Sequence, residues 1–88
     1  MIVETEIVEQ LAEENWRLDC ILDFVEEFKE PWTVLEALYK NNYIKFVDNN
    51  SKALPSWKVE KIFREKIKNI VPVVFVAATE EGLNHAHI

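Results

Sequence analysis

Apolar residues recur every three or four positions at Ile7, Leu11, Leu18, Ile21, Val25 and Phe28, with Glu14 as the one gap. That spacing predicts amphipathic helix over residues 4–29. Val8, Ala12 and Leu22 widen the stripe to the breadth of a core-facing surface. The gap falls in Glu13-Glu14-Asn15-Trp16, where a break would give two helices with Asn15 capping the second. Pro31 stops the segment and suits the first turn of a new helix over 32–41, with Trp32, Leu35, Leu38 and Tyr39 on one side. Residues 43–47, YIKFV, are aromatic and β-branched and predict a strand. DNNSKALP is turn chemistry. Val59, Ile62, Phe63, Ile67 and Ile70 predict the apolar face of a helix over 56–69. A strand at 71–78, a turn at TEEGL and a polar tail at 84–88 complete the chain.

The run at 71–78 carries the architecture. Val73, Phe75 and Ala77 point one way and Val74, Val76 and Ala78 the other, so both faces require cover. Only 43–47 offers a partner strand, and a sheet of two strands is marginal alone. An uncovered apolar edge would aggregate, and pairing with a second copy across a two-fold axis is the simplest remedy. The expected fold class is therefore α+β. It is a mostly helical single domain with a small two- to three-stranded sheet completed across a homodimer through Val73, Val74, Phe75 and Val76.

Composition narrows the function classes. The chain has 88 residues, enough for one domain. Its single glycine, Gly82, excludes Gly-rich phosphate loops. The net charge of −6 disfavours non-specific binding to nucleic acid or an anionic membrane. The one cysteine, Cys20, rules out an intrachain disulfide, and its neighbours Leu18, Ile21 and Leu22 suggest a buried thiol in a reducing compartment. The acidic N-terminal stretch lacks the basic start of a secretion signal, and the apolar run is too short to span a bilayer. A cytoplasmic location is expected.

Charge is segregated along the chain. Residues 1–30 hold ten acids and two bases, whereas residues 58–68 hold five bases and two acids. On the expected helix, Trp57, Lys61, Arg64 and Lys68 form one stripe opposite the apolar face. Three readings fit this stripe: a solvated face, a phosphate grip with Trp57 stacking on a base, or a counterpart for the acidic N-terminal region, including Glu9, Glu13 and Glu14. Lys66 falls on the apolar side and is expected to snorkel. His85 and His87 lie two apart beside Glu80 and Glu81, in what is expected to be a mobile tail rather than a metal site. No nucleophile–base pair can be nominated, so neither a catalytic residue nor a cofactor is expected. Any of the three tryptophans left exposed would be a natural interface anchor.

The stretch EPWTVLEALYKNNYIKFVDN resembles the end of a winged-helix domain: a helix, a tight link, a strand and a polar wing. It is also similar, with LPSWKVEKI following, to the helix-then-strand segment of GINS replication subunits. The winged-helix resemblance implies a recognition helix at 32–41, whose solvent side offers only Glu36 and Lys40 for gripping phosphates. The expected function is a non-enzymatic protein-interaction or regulatory module acting as a small acidic homodimer, with itself and another protein as partners. The alternatives are a winged-helix-like nucleic-acid binder and an acidic inhibitor that occupies a basic site on a partner protein.

Overall fold

The computed structural model describes residues 2–86, with side chains from residue 4. In chain order the elements are α1 (Ile2–Glu13), β1 (Trp16–Arg17), α2 (Leu18–Glu26), α3 (Pro31–Lys40), β2 (Ile44–Val47), α4 (Ser56–Glu65), β3 (Phe75–Ala78) and α5 (Glu80–Ala86). The fold is α+β, and its antiparallel sheet has the order β1-β3-β2.

The acidic segment is two helices rather than one. Between them Trp16 and Arg17 pair with Val76 and Phe75, giving β3 a second neighbour. The residue that caps α2 is Arg17 and not Asn15; Asp19 accepts instead from the Cys20 backbone N–H at 3.0 Å. The break re-phases the helical stripe. Ile7, Val8, Leu11, Leu18, Ile21, Leu22 and Val25 are buried as expected, whereas Ala12 is exposed. Phe28 lies beyond the end of α2 and is 53 % exposed. Cys20 is exposed too, because the inward positions of α2 are those of Leu18, Ile21, Leu22 and Val25.

Local chemistry sets the next boundaries. The Glu30 carboxylate accepts from the Thr33 N–H at 2.7 Å and Pro31 fills the first turn, which fixes the start of α3. These N–H bonds hold the Glu30 carboxyl below its ordinary pKa. Asn42, at φ 63°, ends the helix: Tyr43 N–H donates to Leu38 C=O and Asn42 N–H to Tyr39 C=O. This is the paired bonding that satisfies a helix C-terminus when the following residue tolerates a left-handed backbone. β2 then pairs along its length with β3, Ile44 opposite Ala78 and Val47 opposite Phe75.

After β2 the Asp48 side chain accepts from the N–H groups of Asn50 (2.8 Å) and Lys52 (3.0 Å), and the chain folds back so that Leu54 N–H reaches Phe46 C=O. The Lys52 and Asn50 N–H groups hold the Asp48 carboxyl below its ordinary range. A depressed folded pKa gives stabilisation that is complete above the unfolded value of about 4 and is lost as the pH falls through the folded one. Asp48→Asn keeps an acceptor oxygen and removes the charge. Its thermal midpoint is expected below that of the native protein at pH 7, with the gap closing near pH 2. A gap of constant size would show that the charge does not hold the turn.

Two boundaries differ from expectation. α4 stops at Glu65 because Lys66 adopts a left-handed backbone, φ 51° and ψ 50°, so Ile67, Lys68 and Ile70 are not on the helix. Lys66 is exposed at that end and does not lie along the apolar face. The expected strand at 71–78 is confined to Phe75–Ala78. Pro72 has no N–H for a ladder, and Val71 is 96 % exposed. Apolar cover for β3 comes from within the chain: Val74 and Val76 are buried, and α1 and α2 pack against the strand. The core converges on Phe46, fully buried, whose ring meets Tyr39 at 5.8 Å and Phe63 at 5.3 Å between centroids.

The C-terminal segment is a helix and not a turn with a tail. Thr79 opens α5: its hydroxyl accepts from Gly82 N–H and donates to Asn42 C=O, while its own N–H donates to Tyr43 C=O. α5 packs on α1. His87 lies outside the described residues.

Candidate interaction surfaces

The expected basic stripe divides in two. Trp57, Lys61 and Arg64 are exposed on α4, and Trp57 keeps 67 % of its surface in solvent at the first turn. Lys68 is separated from them by the end of the helix. Its ammonium donates to the Asp23 carboxylate on α2, and that bond, reinforced by Asp23, Glu26 and Asp19 charges, raises its pKa. The charge-matched contact inside the chain is therefore real for Lys68 and tethers the segment after α4 to the acidic helix. Arg64 has Glu65 at 3.9 Å, a loose exposed pair that leaves the Arg64 side chain 69 % accessible.

Beside this face runs a groove of about 530 Å³ between α3 and α4. Tyr39 and Phe63 contribute aromatic surface to it, and Glu36, Lys40, Glu60 and Arg64 charge its walls. Glu36 and Lys40 are themselves 3.6 Å apart, so the exposed side of α3 has its one cation beside a carboxylate. The remaining exposed residues of α3 include Thr33 and Ala37. This helix has no cationic set with which to grip a phosphate backbone.

A second surface was hidden in the sequence by the expectation of one continuous stripe. Trp16, Phe24 and Phe28 form an aromatic ladder with ring centroids 5.6 Å apart at each step. The exposed Cys20 lies one helical turn before Phe24 on α2, and ring contacts extend that row to Trp16 in β1 and Phe28 beyond the helix end, with Trp16 and Phe24 half-buried. Asp19, Asp23 and Glu26 lie on the flank of α2 away from the core, and Glu27 caps its C-terminal end. The signal available in the sequence was the i, i+4 spacing of Trp16, Cys20, Phe24 and Phe28, a second apolar row in a segment that already had one.

The expected acidic candidates Glu9, Glu13 and Glu14 are exposed on α1 and just after it. They are not brought together with Trp57, Lys61 and Arg64 by any described contact. The four residues expected at a dimer interface occupy the middle strand and its approach. Leu18 N–H donates to Val74 C=O, Phe75 is opposite Arg17 and Val47, and Val76 is opposite Trp16 and Phe46. The main chain of Val74, Phe75 and Val76 is thus engaged within the chain. The outer edge of β2 is partly covered as well, by the bridge of Val47 to Ala53.

One polar cleft, of about 160 Å³, lies where α1, α3 and α5 meet. His85 stacks on Tyr43 there, ring centroids 4.5 Å apart, with 3.4 Å between its Nδ1 and the Tyr43 hydroxyl. At that distance between stacked rings the hydrogen bond is weak. Glu4 lines the same cleft, with one carboxylate oxygen enclosed and unbonded among the described residues. Among the described residues no group of three or more His, Cys, Asp or Glu side chains is placed to hold a metal ion, and no helix is long and apolar enough to cross a membrane. Comparison with protein-family models, curated proteins and solved structures gives no match to this chain.

Proposed function

We propose that the chain is a non-enzymatic protein-interaction module, working as a homodimer, whose docking face is the solvent side of α4. The observation that carries this reading is Trp57, 67 % exposed beside Lys61 and Arg64 while the core beneath α4 is already filled by Val59 and Ile62. Exposing a tryptophan in water forfeits the burial of a large apolar side chain, and tryptophan and arginine are the residue types that dominate binding hot spots. Glu60 and Glu65 are exposed beside Lys61 and Arg64, so the face is mixed in sign, and in a chain of net charge −6 this favours a protein surface over an anionic polymer, which the rest of the molecule repels.

Trp57→Ala removes the anchor without opening the core. It is expected to weaken docking on a captured partner by about 30-fold or more, the size of a hot-spot loss. The check is to capture binding proteins with the native chain and with Trp57→Ala, then measure the affinity of each shared species. Partners held equally by both would remove α4 from the account.

A winged-helix-like nucleic-acid binder is the second reading, favoured by one observation. The order α3, tight link, β2, and a β3 that returns antiparallel to β2 is what supports it, with the polar turn and α4 standing between the two strands in place of a simple wing. With Lys68 engaged by Asp23, Lys61 and Arg64 remain as phosphate contacts on the former stripe. Two contacts predict a slope of log K against log salt of about −1.8 on duplex DNA. Absence of binding at low salt would end this reading.

A further inference from the structure

We propose that the cleft where α1, α3 and α5 meet binds a small organic primary amine, its ammonium donating to the enclosed Glu4 carboxylate oxygen and its apolar body lying against Val8 and Leu38. This site is separate from the α4 face and does not depend on the docking reading. Two observations carry it. One oxygen of Glu4 is enclosed with no donor among the described residues. The same side chain lines a cleft of about 160 Å³. An acceptor withdrawn from water and left without a donor is costly, and an occupant of the cleft that carries a donor removes that cost.

The lining selects the chemistry of that occupant. Val8 and Leu38 are buried and make an aliphatic wall. Glu4 is the one acidic side chain among the described lining residues, and no lysine or arginine stands with it there. In a chain of net charge −6 the long-range field also favours a cation over an anion. A metal ion would need a set of protein ligands, and among the described residues no group of three His, Cys, Asp or Glu side chains is placed to supply it. An ammonium needs less. It has three donors, for which the carboxylate is the charged acceptor and the Tyr43 hydroxyl and the Asn41 amide oxygen are neutral acceptors on the same lining.

Size sets how large the amine is. One water needs roughly 10–15 Å³ of such space, whereas an apolar cavity of about 150 Å³ takes a benzene-sized molecule. The cleft matches the second figure, and its aliphatic wall offers no hydrogen bonds to a cluster of waters. Tyr43 and His85 form the polar side. Their stacked rings leave the Tyr43 hydroxyl 3.4 Å from His85 Nδ1, a weak bond, so the hydroxyl keeps bonding capacity for the amine. Because α1, α3 and α5 all contribute to the lining, an occupant bridges three helices, and binding to the folded chain alone stabilises it.

The test is a titration of the native chain with benzylamine, followed in ¹H–¹⁵N spectra, with benzyl alcohol as the neutral probe of the same shape. Benzylamine is expected to shift the backbone signals of Val8, Leu38, Asn41 and Tyr43 with a dissociation constant in the millimolar range, as its size allows. Benzyl alcohol is expected to bind at least about 10-fold more weakly, because it forfeits the charge-assisted bond. Glu4→Gln keeps the shape of the side chain and removes its charge. It is expected to weaken benzylamine by at least about 10-fold and to leave benzyl alcohol unchanged. Ala37→Leu adds bulk at an exposed position of the lining and is expected to abolish binding of both probes. Circular dichroism checks the fold of each variant, and the comparison of the two probes on the native chain decides the matter even if a variant does not fold. Equal affinity for the two probes, or undiminished benzylamine binding by folded Glu4→Gln, would show that the carboxylate does not recognise the ligand and would overturn the proposal. Shifts spread over the acidic surface, or none at the cleft, would overturn it too, leaving the cleft to water.

Discussion

Gly82→Ala is expected to lower the thermal midpoint by on the order of 10 °C, although alanine is the better helix former by about 1 kcal/mol. Gly82 is buried in α5, and a Cβ built on it would lie 2.1 Å from the Tyr43 carbonyl oxygen and 2.9 Å from its carbon. Both are backbone atoms of the link between α3 and β2, so no flexible side chain can swing aside. Relief requires α5 to move away from Tyr43. That movement strains the bond from Thr79 N–H to the Tyr43 oxygen and the stack of His85 on Tyr43. Overpacking of this kind costs about 1–3 kcal/mol and sometimes more, which outweighs the propensity gain. Thermal unfolding followed by circular dichroism checks it. A midpoint equal to or above the native one would mean that α5 is not seated on Tyr43.

Phe46→Ala is expected to have the larger effect, about 3–5 kcal/mol. Phe46 is 1 % exposed and meets Tyr39 and Phe63 edge-on, tying β2 to α3 and α4. Its removal opens a hole where three elements meet, and the rings around it are held by other contacts: Tyr39 also meets Phe63 at 5.8 Å, and Phe63 also meets Trp32 at 6.1 Å. Domains of this length have a total stability of only about 4–13 kcal/mol. The variant should therefore sit close to its unfolding transition at room temperature, as urea titration would reveal. A loss below about 1 kcal/mol would place the centre of the core elsewhere.

How far these features could be read from the sequence depends on how local their causes are. The start of α3 was legible because Pro31 is itself the helix-start signal, and the turn at Asp48 because an aspartate followed by two asparagines and a serine closes local hydrogen bonds. The core faces of α1, α2 and α3 were legible because burial follows the helical period. Lys66 ended α4 without a glycine or asparagine to announce it, so the helix was read four residues too long and Lys68 was placed on a stripe it never joins. β1 has two residues, too few to show any period, so the second neighbour of β3 was not legible. Gly82 read as a turn residue because glycine usually marks one. Its role is a close approach between distant segments, which no local pattern records.

The same distinction separates the two candidate surfaces. Trp57, Lys61 and Arg64 were legible because a helix places them together. The ladder was obscured because Phe28 fitted the period of the core stripe, and the end of α2 at Glu26 leaves it in solvent.

The most direct measurement of the central claim is a concentration series of ¹H–¹⁵N spectra that follows the three tryptophan indole N–H signals. Trp57 belongs to the docking face and Trp16 to the ladder, whereas Trp32 is partly buried against Phe63 at 6.1 Å. The account predicts that the Trp57 signal moves as the protein associates and that Trp32 stays in place. Association that moves Trp32 and leaves Trp57 fixed would contradict it.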